Sequence, residues 1–319
     1  MNARPDFGQD PIWDHVGISA MPDRAALKLP DGKTVAVVVV VNVEHYEYLP
    51  PSNEFKNPYP SAPAHPDIVG YSYRDYANRV GLWRMLDVLD EFGIPVTCSL
   101  NVAAVELYPE VRQAVLERRW SIMSHGEYNT RYLYGLSYQE EWDLHSTVAQ
   151  RMTEVLGAAP KGLLGPSFTS SPNTYEIVAA QGMEYTMDWF VDDQPFPVRA
   201  GAHTLVGVPY SRELNDAFVM PGGAFYGFGG DYFAKICLDQ FDVLDAEGEQ
   251  SGRVMTIALH PFSMGLPQEI ESLRSVFAGI QARGGAWWTT PDQIAEWYRR
   301  EAFDTAVTQT TWPTGSHDA

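Results

Sequence analysis

The run Val35–Val43 (VAVVVVVNV) restricts this chain more than any other segment. It holds nine residues without a charge, seven of them valine. β-Branched side chains suit a pleated surface, and a continuous apolar run is what a strand covered on both faces requires. Glu44 follows the run at once. The segment is too short to span a bilayer. It therefore predicts a central strand of a parallel sheet whose C-terminal end delivers a carboxylate.

The rest of the chain repeats the strand–helix theme. Strands are expected at 95–100, 120–123, 162–164, 185–187, 205–208, 253–259 and 287–289. Helices are expected at 79–92, 109–118, 137–156, 172–181, 231–244, 267–282 and 291–300. Ser137 and Glu140 have the Ser-x-x-Glu spacing of a capping box, and Gly157 closes that helix. Ser171 before Pro172, and Thr290 before Pro291, read as N-caps. The Pro/Tyr/Asn-rich stretch His45–Ile68 has no helical period, and residues 45–78 read as one long loop. Residues 1–33 form an N-terminal extension, and 307–319 a disordered tail. About eight strands alternating with helices in one unbroken run predict a single α/β barrel domain over 1–306, with an open doubly wound sheet as the competing architecture.

Charge narrows the partners. With 22 Lys+Arg against 41 Asp+Glu the net charge is −19, which disfavours nucleic acid and anionic membranes, since both need clustered cations. The 2 cysteines give neither a disulfide framework nor a zinc ribbon. Residues Met1–Leu29 contain no apolar signal core, so a cytoplasmic location is expected.

In parallel α/β barrels the working residues lie just past the C-terminal strand ends. Glu44 and His45 follow the first strand. Ser124-His125-Gly126-Glu127-Tyr128-Asn129 follows the third. Asp188-Trp189, Pro209-Tyr210 and His260-Pro261 follow later ones. A carboxylate and two imidazoles at one mouth either bind a divalent metal or act as base, acid and oxyanion stabiliser. Both options favour hydrolysis by an activated water. No Gly-x-Ser-x-Gly elbow, His-Glu-x-x-His helix, Walker loop or dinucleotide fingerprint is present.

These residues resemble the polysaccharide deacetylase superfamily, from about Val35 to Trp297. The carriers are Val41-Asn42-Val43-Glu44, Ser124-His125-Gly126, Gly165-Pro166-Ser167 with Ser171-Pro172-Asn173-Thr174, Asp188-Trp189 with Asp192-Asp193-Gln194-Pro195, Val208-Pro209-Tyr210, and Leu259-His260-Pro261 with Gly265-Leu266-Pro267. The resemblance implies a distorted (β/α)7 barrel. Its Ser-Pro-Asn-Thr, Asp-Asp-x-Pro and His-Pro-x-x-x-Gly-x-Pro signatures look like the intracellular branch that contains metal-independent allantoinases and cyclic imidases. It also implies a homo-oligomer, commonly a tetramer.

Two departures bear on chemistry. Where deacetylases of this superfamily carry an Asp pair, this chain has Asn42 and Glu44; where they carry His-x-x-x-His, it has His125 and Asn129. An amide is a poor zinc ligand, so metal-free catalysis is favoured. If zinc binds, Glu44 and His125 are its candidate ligands, with His260 or Glu127 as the substitute third. The expectation is a hydrolase of a small cyclic amide, imide or ureide, with Glu44, His125 and His260 catalytic. Asn42, Asn129, Ser167, Trp189 and Tyr210 would contact substrate, and the Pro-rich loop and Pro221–Gly230 would close the mouth. A metal-dependent deacetylase of an N-acetylated sugar and a non-catalytic binding barrel are the alternatives.

Overall fold

Alternation along the first strand divides the molecule into an inside and an outside. In the computed structural model, which describes residues 15–51, 65–220 and 227–312, β1 spans Val35–Val43 and every residue of it is buried. Val35, Val37, Val39, Val41 and Val43 pack into the layer between sheet and helices. Ala36, Val38 and Val40 face the barrel interior. Side chains two apart share a face, so Asn42 and Glu44 crown the interior column. Each buried valine contributes at most about 1.5–3 kcal/mol, and a charge at Val38 would break the interior.

The remaining strands are β2 (Val96–Leu100), β3 (Ser121–Ser124), β4 (Gly162–Leu163), β5 (Tyr185–Thr186), β6 (Phe196–Ala200), β7 (His203–Gly207), β8 (Arg253–Leu259) and β9 (Ala286–Thr289). The sheet order is β6-β7-β5-β4-β3-β2-β1-β8, with β9 also paired to β1. All pairs are parallel except β6 with β7. The lower half of one β1 edge holds β9 through Val35–Val38, and the upper half holds β2 through Val39–Val43. Between β7 and β8 the ring is closed by the segment 209–215 instead of a ladder. Thr256 Oγ1 donates to Pro209 O at 2.6 Å, and Ala258 N–H to Leu214 O at 2.9 Å. The seven consecutive parallel strands make a distorted (β/α) barrel, as expected, and not an open doubly wound sheet.

Local expectations hold where capping chemistry is explicit. Ser137 and Glu140 form both arms of the capping box, and Gly157 takes φ 83°. Thr290 accepts from Gln293 N–H. Four readings need correction. The helix placed at Arg79 begins at Ile68, capped by Asp67, so 68–78 is not loop. Strand β6 was not expected; its Pro197 lies at the sheet edge, where proline is tolerated. Helix 174–180 starts after Asn173, and Ser171 Oγ instead accepts from Asn173 N–H. The tail is ordered past Val307: helix Phe303–Gln309 precedes Thr311, which pairs with Ile18. The bulk of the Pro-rich loop and of the Pro221–Gly230 segment lies outside the described residues.

One irregularity positions the site. Helix Ile68–Tyr76 continues through a π turn, Ala77–Gly81, into helix Leu82–Phe92. Asn78 in that turn donates to Glu44 O at 3.0 Å. Gly81 is required because a Cβ there would overlap the carbonyl oxygen of Pro261, next to His260. The extra residue of the π turn thus lets one helix brace two strand ends.

Candidate active site

Period-two alternation carries the chemistry into the mouth. Asn42 and Glu44 from β1, His125 after β3, Tyr210 after β7 and His260 after β8 are all buried there, with Glu44 5% and His260 7% exposed. Glu44 Oε1 lies 3.2 Å from His125 Nε2 and 3.8 Å from His260 Nε2. Its other oxygen, Oε2, accepts the hydroxyl of Tyr46 at 2.9 Å.

Each imidazole is oriented through its other nitrogen. His125 Nδ1 lies 2.7 Å from Leu164 O, a pure acceptor, so that nitrogen carries a proton and Nε2 faces Glu44. His260 Nδ1 lies 2.7 Å from Asp216 Oδ1. Asp216 is fully buried, and its carboxylate also accepts the N–H groups of His260 and Met264. It lies in the short helix Asp216–Val219.

The electrostatics follow from this wiring. Burial would push the Glu44 carboxyl up, but the His125 hydrogen bond, the charges of His260 and His125 and the Tyr46 hydroxyl together hold it below the ordinary carboxylate range. Burial would depress His260, but Asp216, as charge and as hydrogen-bond acceptor, and then Glu44 hold its pKa above the usual histidine value. The arrangement thus favours the carboxylate form of Glu44 and the protonated form of His260.

Of the other sequence-predicted residues, Asn42 Nδ2 donates to Tyr210 OH and Leu259 O, both at 3.3 Å. Asn129 Nδ2 donates to Tyr46 OH, and Ser167 Oγ donates to Asn129 O at 3.3 Å. Ser167 and Phe168 have φ of 51° and 56°, an uncommon pair of left-handed non-glycine residues. Asp188 holds that turn by accepting Gly165 N–H at 2.7 Å and the Ser170 hydroxyl. Phe168 in turn packs on Phe190, Tyr210 and Phe218, forming an aromatic side to the mouth. Trp189 is not brought to this group: its ring packs on Tyr175, 5.3 Å between centroids, in a separate apolar cluster. His45 turns into the wall, among Tyr71, Tyr108 and Tyr128.

Sequence reasoning missed Tyr46, Arg74 and Asp216. Tyr46 was findable, since Asn42, Glu44 and Tyr46 continue the two-residue period. Arg74 and Asp216 were not: one sat in an expected loop, and the other lies 44 residues from His260 with no local pattern.

The metal reading can be tested on the donors. Among the described residues no group of three or more His, Cys, Asp or Glu is placed to hold a metal ion. Glu127 is held by Arg131 and Arg151, both at 2.6 Å. Asn129 gives its amide N–H to Tyr46, whereas His260 is bonded to Asp216 through Nδ1 and keeps Nε2 turned to Glu44. Glu127 and Asn129 are therefore engaged elsewhere and do not serve as a third ligand of the metal-dependent alternative. A cavity of about 570 Å³ lies between residues 16–28, Asp192–Pro197 and the C-terminal helices, and no mouth residue lines it. Among the described residues no helix is long and apolar enough to cross a membrane.

Comparison with known proteins agrees with this architecture. Residues 65–186 match the family model described as polysaccharide deacetylase. A Schizosaccharomyces pombe protein described as a polysaccharide deacetylase is 28% identical over 260 residues, covering 75% of this chain and 78% of that protein. The crystal structure of PuuE allantoinase superposes with a TM-score of 0.76 at 25% identity, covering 88% of this chain and 95% of that one. A probable polysaccharide deacetylase from Pseudomonas aeruginosa PAO1 has the same TM-score, at 24% identity with the same coverage. Residues 65–186 are thus similar to the polysaccharide deacetylase family, and the fold over most of the chain is similar to that of PuuE allantoinase.

Proposed function

We propose that this protein, a hydrolase of C–N amide bonds, opens a small cyclic amide, imide or ureide. The observation that carries the reading is Glu44 Oε1 standing between two imidazole Nε2 atoms, 3.2 and 3.8 Å away, with Asp216 behind one of them. Glu44 takes a proton from water as that water attacks the carbonyl carbon. His260, whose protonated form Asp216 favours, faces the developing oxyanion through Nε2–H and then supplies a proton to the leaving nitrogen. His125, fixed by Leu164 O, orients the water against Glu44. Asn42 and Tyr210 form the polar floor, and Phe168 and Tyr210 the apolar side against a flat ring. The similarity to PuuE allantoinase supports a small substrate over a polymer. We extend the same reading to a homo-oligomer, which sedimentation velocity would report as a species heavier than one chain.

The test is hydrolysis of hydantoin, succinimide and allantoin beside an N-acetylglucosamine oligomer. Ring opening that Glu44→Gln abolishes supports the proposal. Acetate release from the oligomer with no ring opened would instead select the N-deacetylase reading. Binding without turnover of any of them would select the non-catalytic barrel.

A further inference from the structure

Glu44 has two oxygens, and only one faces the imidazoles. The terminal torsion of a glutamate is broad, so burial alone does not fix the plane of the carboxylate. The Tyr46 hydroxyl decides it by donating to Oε2 at 2.9 Å, which leaves Oε1 against His125 and His260. The same hydroxyl oxygen accepts the amide N–H of Asn129. The Arg74 guanidinium carbon lies 4.3 Å from the Tyr46 ring centroid. Both neighbours draw electron density from the phenol oxygen and strengthen its O–H as a donor.

Asn129 is itself immobilised. Its backbone N–H donates to His45 O at 3.0 Å, and its backbone carbonyl accepts the Ser167 hydroxyl at 3.3 Å. It occupies the position where the resemblance expects a second imidazole. A ligating imidazole would turn a lone pair to a metal, whereas this amide turns an N–H to Tyr46.

We propose that Tyr46 is a positioning residue for the catalytic carboxylate and that Asn129 acts on Glu44 through it. A hydrogen-bonded relay then does for Glu44 what metal ligation does for a carboxylate elsewhere: it fixes one oxygen and presents the other. This rests on the hydrolase reading above, in which Glu44 is the base. Asn129 is therefore no direct substrate contact, and its effect is on kcat.

Kinetics of Tyr46→Phe, Asn129→Ala and the double variant test the relay. Removing a hydrogen bond to a charged group should lower kcat by about tenfold to a hundredfold in Tyr46→Phe, with KM within about threefold. Asn129→Ala should lose less, and the double variant no more than Tyr46→Phe alone. A raised KM with unchanged kcat, or losses that multiply in the double variant, would overturn the relay. Nitrogen-15 NMR of the imidazoles supplies a readout without turnover. Tyr46→Phe or Asn129→Ala should move the Nε2 signals of both His125 and His260, and unmoved signals would overturn the relay as well. Should wild type open no C–N bond, the hydrolase reading fails while these signals still decide the relay. If Tyr46→Phe does not fold, Asn129→Ala alone carries both readouts.

Discussion

His260 with Asp216 and His145 with Glu141 are both histidine–carboxylate pairs shut away from solvent, yet they are built for different work. At the mouth, His260 Nδ1 meets its carboxylate at 2.7 Å, and Nε2 is left facing Glu44. In the helix layer, His145 Nε2 stands 3.6 Å from Glu141 Oε1, and neither ring nitrogen has a hydrogen bond among the described residues. The Glu141 carboxylate is spent instead on the hydroxyls of Ser171 and Thr174. It staples helix Tyr138–Leu156 to helix Thr174–Ala180. On the proposed mechanism a buried pair is useful for chemistry because a third group, Glu44, waits on its open side, not because it is buried.

Substitutions on the two sides should separate cleanly. The largest effect is expected from Glu44→Gln, which keeps the shape and removes the base. Steady-state kinetics should show kcat falling by about 10³ or more, with the fold retained. Asp216→Asn comes next. Asp216 raises the pKa of His260, so its loss lowers that pKa, and the imidazolium disappears at lower pH. The high-pH limb of the kcat/KM profile should move to lower pH, and kcat should drop by about 10²-fold. An unmoved limb would break the contrast between the two pairs. Tyr46→Phe should follow, by the relay argued above.

Glu141→Ala should do the reverse. It strands the buried Thr174 hydroxyl and the half-buried Ser171 hydroxyl and should cost about 1–3 kcal/mol of stability by denaturant titration, while activity at permissive temperature stays within about twofold. The smallest effect is expected from His145→Leu, where an apolar group of similar size replaces a ring with no hydrogen bond; both melting temperature and kcat should barely move. A large kcat loss there would mean that the helix layer also feeds the mouth.

The same contrast explains what the sequence could convey. The valine run fixed β1 and, by alternation, the inward aim of Glu44 and Asn42. The histidines at the ends of β3 and β8 could be found because strand ends in a parallel barrel are where chemistry is placed. The capping box of helix 138–156 was equally explicit, since its physics is local. Asp216 could not be found, because its meaning depends on the segment 209–215 closing the gap beside β8. The π turn at Ala77–Gly81 was hidden for the same reason: Gly81 is needed only because Pro261, far along the chain, packs on it. Trp189 misled because it follows a strand, while tertiary packing sends its ring outward to Tyr175.

The most direct measurement is kcat/KM for ring opening on protein exhaustively treated with chelator, with zinc content determined on the same sample. Metal-free catalysis, with Asn129 and Tyr46 positioning Glu44 and Asp216 supporting His260, predicts full activity in the metal-depleted protein and its loss in Glu44→Gln. Activity that vanishes with the metal and returns with one equivalent of Zn²⁺ would contradict the account.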